Sequence, residues 1–267
     1  LHSGEMSQTV VDLGFAGRGL SFAFTRTYRN QTIGNGPLGP GWDHSYRVRL
    51  RELPNGDVEL YDGRGRRELF EQVSRARGTY EAPKGRFVEL LRTSAGWLLT
   101  DAGFNRMRFD RFGRLVAILD AVKQDAQTGN QIELFYDAAS RLTRVRDSLD
   151  RDFAFEYGEH DRLVRLVDPT GREVRYRYDV PGLLVEVAGP PALVGETVFP
   201  LGQVSRYLYQ TPLGDLATSL SQRDDLLRLT DPKDQPWLTL VYSDADGDGR
   251  SEEIIGAQGG DGTVEIT

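Results

Sequence analysis

The sequence predicts an all-β fold: consecutive antiparallel β-hairpin repeats that join into one curved, spiral sheet. Three observations predict it. The first is a recurring motif, an aromatic residue, then Asp or Gly, then Arg five positions after the aromatic. Its copies are Tyr61-Asp62 with Arg66, Phe109-Asp110 with Arg114, Tyr136-Asp137 with Arg141 and Tyr157-Gly158 with Arg162. A degraded fifth, Tyr178-Asp179, ends in Leu183. A short motif repeated along one chain marks a repeat architecture. The second is alternation of apolar and polar residues in short runs bounded by Gly, Asp and Asn, the pattern of half-buried strands. The third is regular spacing. Tyr136, Tyr157 and Tyr178 lie 21 residues apart, and each interval holds two strand-like runs and two turns.

Along the chain, residues 1–56 read as an introductory segment and residues 57–267 as the repeat sheet. In the introduction, Leu20, Phe22 and Phe24 fall on one face of a strand that runs to Tyr28. A Gly/Pro-rich connection from Ile33 to Gly41 follows and rules out helix or an uninterrupted strand there. Tyr46 to Leu50 alternates again. Strands are then expected at Val58–Tyr61, Arg86–Leu91, Trp97–Leu99 and Arg106–Phe109. The clearest register runs through Ile132–Tyr136, Leu142–Arg146, Phe153–Tyr157, Leu163–Val167 and Val174–Tyr178. The turn Asp168-Pro169-Thr170-Gly171-Arg172 has a mechanism: Asp bonds the backbone two residues on, Pro presets φ, and Gly accepts positive φ. Pro190, Pro191 and Pro200 interrupt the rhythm, which resumes at Ser205–Tyr209, Leu227–Thr230 and Trp237–Tyr242, with a last strand at Val264–Thr267. Thr211 to Gln222 is the one candidate helix, and Pro212 and Gly214 weaken it.

Composition narrows the function. Hydrophobic residues are 39% and aromatics 10%, enough for a buried core and against disorder. The net charge of -7 disfavours nucleic acid, whose binding rests on neutralising phosphates. With no Cys, disulfides, thiolate metal sites and a Cys nucleophile are excluded. No apolar run reaches the roughly 18 residues of a membrane helix, so direct membrane insertion is not expected. The chain opens on Leu1 without a signal peptide, so it is expected to be part of a longer protein.

These residues resemble the Rhs/YD-repeat family, which includes bacterial Rhs polymorphic toxins, the C component of insecticidal toxin complexes and teneurins. The repeat signature, Tyr-Asp-x-x-Gly-Arg-Leu, a hydrophobic strand and an Asp-x-x-Gly-Arg turn, is matched by Tyr136–Val145 and Asp168–Arg172, with Ser140 in the Gly slot. The opening is similar to the family's N-terminal segment: Asp12-Leu13, Gly17-Arg18-Gly19-Leu20, Thr25–Asn30 and Gly36-Pro37-Leu38-Gly39-Pro40-Gly41-Trp42. The resemblance implies an exported, non-enzymatic segment of a hollow β-shell with a wide concave face. Its partners would be the remainder of that shell and an enclosed C-terminal toxin polypeptide. The family's C-terminal core, which carries an Asp-dependent self-cleavage site in many members, has no match here. Two other readings stand beside it: a cell-surface adhesion or ligand-binding module, and a carbohydrate-active enzyme with two converging carboxylates.

Candidate site residues are few. The repeat tyrosines read as core that knits neighbouring strands rather than as carbohydrate platforms. The repeat arginines read as partners of turn Asp residues rather than phosphate ligands. Gly17-Arg18-Gly19 has no P-loop or dinucleotide spacing after it. His2, His44 and His160 lie far apart and make no zinc pattern. One segment, Asp244 to Ile254, places acidic residues at positions 1, 3, 5 and 9 and Gly at 6, the oxygen spacing of a calcium loop. Asp244, Asp246, Asp248 and Glu252 would supply carboxylates and Arg250 its carbonyl to a structural Ca2+. It departs from an EF-hand, because position 12 is Ile255. The same residues also read as a YD turn lengthened by Asp and Gly.

Overall fold

The computed structural model describes residues 5–32, 34–123, 128–180, 182–194, 197–199, 202–209, 225–243, 253–259 and 262–263. The predicted helix at 211–222 and the strand at 264–267 lie outside these residues. What is described is all-β apart from a single 3-10 turn at Glu159–Asp161.

The introduction supplies β1 (Ser7–Phe15), β2 (Phe22–Arg29), β3 (Asn35–Gly36), β4 (Gly39–Pro40) and β5 (Trp42–His44). β1, β2 and β5 form a three-stranded antiparallel sheet, and β3 and β4 a tight hairpin in the Gly/Pro connection. β1 escaped the sequence pattern because a bulge between Val11 and Leu13 breaks its alternation.

The main sheet begins at β6 (Val48–Glu52), inside the segment read as introductory. It continues through β7 (Val58–Asp62), β8 (Arg67–Ser74), β9 (Thr79–Glu81) and β10 (Val88–Thr93). β11 (Gly96–Asp101), β12 (Arg106–Asp110) and β13 (Leu115–Leu119) follow. Each strand pairs antiparallel with the next. The sheet then curls until β6 lands on the turn between β12 and β13, and a barrel closes. At the closure Arg49 bridges Arg114 and the Leu50 N–H donates to the Gly113 carbonyl at 2.8 Å. Gly113 has φ +79°, and a Cβ there would sit 2.0 Å from the Leu50 oxygen, so the approach requires glycine. A ring of this size is filled by its own side chains. Leu60, Phe70, Leu90, Phe109 and Leu115 are at most 1% exposed.

The repeats proper continue the sheet beyond the ring. They are β14 (Gln131–Tyr136), β15 (Leu142–Arg146), β16 (Asp152–Tyr157), β17 (Leu163–Val167), β18 (Glu173–Tyr178) and β19 (Leu184–Ala188). A side hairpin of β20 (Ala192–Val194) and β21 (Thr197–Phe199) interrupts them. The sheet resumes with β22 (Val204–Tyr209), β23 (Leu226–Thr230), β24 (Pro236–Ser243), β25 (Glu253–Gly259) and β26 (Gly262–Thr263). The predicted alternation holds. Phe153 and Phe155 point inward, and Ala154 and Glu156 outward. A β-bulge falls immediately before Phe109, Tyr136, Tyr157, Tyr178 and Tyr209, whereas the register through Tyr61 is unbroken. A bulge re-aims the side chain that follows it.

Among the described residues the expected wide concave face is not open. The sheet from β1, β2 and β5 lies against the inward face of the repeats and fills it. Phe22 stacks on Phe153 with ring centroids 3.6 Å apart, and Phe24 meets Phe155 at 5.7 Å and Tyr176 at 6.2 Å. Trp42 meets Tyr207 edge-on at 5.2 Å. The physical reason is the hydrophobic pattern itself: β2 and β5 are buried on nearly every residue and need a second apolar layer.

The outward face is a grid of ion pairs. Arg146 pairs with Asp152 at 2.8 Å, Arg165 with Glu156 at 2.8 Å and with Glu173, and Glu186 with both Arg177 and Arg206 at 3.1 Å. Exposed pairs of this kind contribute about 0–1 kcal/mol each, so they specify the solvent face more than they hold the fold.

Candidate functional site: the repeat turns and the buried seam

The motif residues meet in the turns, and each is used. In the Asp168 turn, Oδ1 accepts the backbone N–H groups of Thr170 at 2.8 Å and Arg172 at 3.0 Å, and Oδ2 accepts Arg172 Nε at 2.7 Å. The same arrangement recurs at Asp110 with Arg114, Asp137 with Arg141 and Asp147 with Arg151. The residue before Arg turns through positive φ: Gly113 at +79°, Ser140 at +63°, Asp150 at +56° and Gly171 at +85°. That explains why Gly belongs there and how Ser140 can replace it, since short polar residues tolerate this region. The Arg141 backbone and side-chain bonds hold Asp137 below the usual carboxylate range. Burial alone would raise Asp147 and Asp168, but the Arg and backbone donors outweigh it and both are lowered. The expected pairing of repeat Arg with turn Asp is observed.

The tyrosines act as latches. Tyr136 donates its hydroxyl to the Leu115 carbonyl at 2.7 Å, Tyr157 to Leu142 at 2.9 Å, Tyr178 to Leu163 at 2.7 Å and Tyr209 to Leu184 at 2.8 Å. Each acceptor opens the return strand of the preceding repeat. Tyr136, Tyr157 and Tyr178 are half-buried against the core rather than sealed in it. Burial pushes these phenols well above their ordinary value, so they stay protonated donors.

Beneath the repeats runs a seam of buried polar groups that the sequence did not disclose. Arg26, 1% exposed, donates Nε to both Asp12 oxygens at 2.8 Å. Tyr176 donates its hydroxyl to Asp12 at 3.0 Å. The Arg26 guanidinium also lies over the rings of Trp42 at 4.7 Å and Tyr207 at 5.1 Å. Burial pushes the Asp12 carboxyl upward, opposed by Arg26 and Tyr176. Trp42 Nε1 donates to the Tyr209 hydroxyl at 2.8 Å, and the Leu226 N–H to the Tyr28 hydroxyl at 2.9 Å. His44 is packed against Phe24 at 5.0 Å and its Nδ1 has no hydrogen-bond partner. Burial, with Arg47 nearby, lowers its pKa to about 3. Nothing in this seam forms a cleft with two converging carboxylates. Apart from Arg26 Nη1 and His44 Nδ1, its groups bond to one another, and the arrangement joins two sheets.

The proposed calcium residues Asp244, Asp246, Asp248, Arg250 and Glu252 lie outside the described residues, as does His2. Among the described residues no group of His, Asp and Glu is placed to hold a metal ion. Also among these residues, no helix is long and apolar enough to cross a membrane. A polar pocket of about 230 Å³ lies between the introduction and the first turn, lined by Thr9, Thr27, Arg29, Asp62, Arg64 and Arg66.

Comparison with known families matches both ends of this description. Residues 136–173 match the RHS Repeat family, and residues 1–70 match a domain of unknown function, DUF6531. The Tyr136 and Tyr157 motifs and the Asp168 turn fall within the RHS Repeat match. No curated protein matches the chain. Among solved structures, the Tc holotoxin pore of Photorhabdus luminescens aligns over 96% of this chain at 14% identity with a TM-score of 0.40. TcdB2-TccC3 without its hypervariable C-terminal region aligns over 95% at 15% identity with a TM-score of 0.36. The chain spans 14% and 15% of those two structures, respectively.

Proposed function

We propose that this RHS-repeat chain is a non-enzymatic wall segment of a larger exported shell, and that the whole shell encloses a toxic polypeptide. One observation carries the reading. The residues that recur, Tyr, Asp and Arg, are consumed in bonds that hold one hairpin to itself and to its neighbour, and little is left over for a substrate. A motif repeated for chemistry would present the same side chains to solvent. A motif repeated for construction spends them internally, which is what repeat walls require.

The introductory sheet then has a defined task. It closes the inward face of the first repeats, so enclosure of another polypeptide belongs to the chain that continues beyond them. The outward Arg and Glu grid keeps the wall soluble. A test uses the full parent chain. Its polypeptide downstream of the repeats is expected to resist protease while the shell is folded and to become sensitive when mild denaturant opens it. Equal digestion in both states would refute enclosure.

A further inference from the structure

The Tyr157 turn departs from the rule in its Asp slot. At the Tyr157 repeat the Asp slot holds Gly158. The turn keeps its backbone bonds, Gly158 N–H to Arg162 O at 2.8 Å and Arg162 N–H to Glu159 O at 3.2 Å. What it lacks is the carboxylate that would hold Arg162. The Arg162 guanidinium instead leaves its own turn and enters the introductory segment. Nη1 donates to the Gly36 carbonyl at 3.0 Å, Nη2 to Asn35 Oδ1 at 2.5 Å, and Nε to the Gly182 carbonyl at 3.3 Å. Arg162 is 9% exposed, whereas the Asp-paired side chains of Arg114, Arg141, Arg151 and Arg172 are 26–48% exposed.

The β3–β4 hairpin is built to fit beside it. The Pro37 carbonyl accepts the Leu163 N–H at 2.8 Å and the Tyr178 hydroxyl at 3.2 Å. Leu38 is fully buried. Gly39 has φ +89°, and a Cβ on it would come within 2.6 Å of the Gly182 carbonyl. The hairpin thus seats between the Gly158 and Asp179 turns.

Apolar packing alone selects this position weakly. The repeats present similar inward rows: Ile132 and Leu134, then Phe153 and Phe155, then Val174 and Tyr176. An introductory sheet displaced by one repeat would still bury Phe22 and Phe24 against apolar side chains. Specificity needs a feature that one repeat has and its neighbours refuse. At the Asp137 turn Arg141 is already held by the local carboxylate, and at the Asp179 turn the Arg slot is Leu183.

We propose that Gly158 and Arg162 together are the register-determining site that fixes the introductory segment on one repeat, and that its ligand is the Gly-Pro hairpin of residues 35–40. The loss of Asp at 158 is then a working part of the sequence. It releases an arginine whose planar set of donors suits backbone carbonyls.

The test uses the whole chain, which has no Cys and so accepts paired spin labels at the exposed positions Val11 and Leu149. The parent protein should give one interlabel distance. Gly158→Asp should recapture Arg162, and a second population should appear, displaced by about two strand spacings, roughly 10 Å. A Cβ at 158 would lie 2.8 Å from Val164 Cγ1, so Gly158→Ala reports the steric effect alone and should keep the single distance. Arg162→Gln, which adds no atoms at 158, should produce the second population and cut hydrogen-exchange protection of the Leu163 amide at least tenfold. If Arg162→Gln folds with one unshifted distance and unchanged protection, the proposal is overturned. The same conclusion follows if Gly158→Asp and Gly158→Ala behave alike.

Discussion

Removing the Phe22 ring tests whether the introductory sheet is fastened to the repeats or only rests on them. Phe22 is 1% exposed and lies between Phe153, parallel to within 2° at 3.6 Å, and Tyr46, 5.3 Å away at 20°. Truncating a buried Phe to Ala costs about 3–5 kcal/mol when neighbours cannot fill the space. Phe22 and Phe153 sit on strands of two different sheets, so collapse is restricted and about 4 kcal/mol is expected for Phe22→Ala. With a urea slope of about 3 kcal/mol/M, the midpoint falls by about 1 M. The stacking part is isolated by a cycle of Phe22→Leu, Phe153→Leu and the double variant, which should show a coupling of about 0.5–1.5 kcal/mol. Hydrogen exchange adds the spatial readout: amides of β16 should lose protection together with those of β2. A loss under about 1 kcal/mol, additive variants and unchanged β16 protection would refute the account of one shared core.

Three other outcomes follow from the structure, and one from the sequence. His44 stays neutral in the fold down to about pH 3, while the unfolded chain takes up its proton below its ordinary 6.5, so stability falls as pH drops through that window. Between pH 7 and pH 5 the loss is about 2 kcal/mol, and His44→Gln should remove that slope from the difference between the two proteins. Should both unfold with the same pH dependence, burial of a neutral His44 is wrong. Asp168→Ala unmakes two backbone bonds, the Thr170 hydroxyl bond and one Arg bond, for about 2–4 kcal/mol, and Asp168→Asn, which keeps one acceptor oxygen, should cost less than half of that. Equal losses would show that the acceptor oxygen kept by Asn recovers nothing, against a turn held mainly by its backbone bonds. Phe104 sits at φ +62° with 72% exposure, so Phe104→Gly should raise stability by about 0.5–1 kcal/mol, the left-handed penalty less the glycine entropy. A lower melting temperature would contradict it. From the acidic spacing at 244–252, Ca2+ at about 100 times its Kd should add about 2.7 kcal/mol, with no gain in Asp246→Asn/Asp248→Asn. A parent protein indifferent to Ca2+ would leave the segment as a lengthened turn.

The repeats were legible because their information is local. A period of two, an Asp-x-x-Gly-Arg turn and a fixed spacing place β14 through β18 to within a residue at their starts, and Ser140 was visible as the odd member of its slot. β13 was passed over because Leu115 to Leu119 is apolar throughout and shows no alternation. β8 was passed over because its apolar residues Leu69 and Val73 face outward, with only Phe70 fully buried. The closure of β6 on Gly113 and the docking of the introduction join residues far apart in sequence, and no window of neighbours contains them. The seam shows the same limit. Asp12 and Arg26 stand in the opening that resembles the family's N-terminal segment, and nothing near them in the sequence says that they meet under Tyr176. Arg162 left a trace, since Gly158 visibly breaks the motif, but its meaning depends on a hairpin more than a hundred residues upstream.

The tyrosine latches give the assembly a direction in time. The return strands β13, β15, β17 and β19 are each tied off by a phenol that belongs to the repeat after it, so a chain emerging in order can tie each of these units with the next. All four ties point the same way along the wall, each unit held by its successor and none by its predecessor.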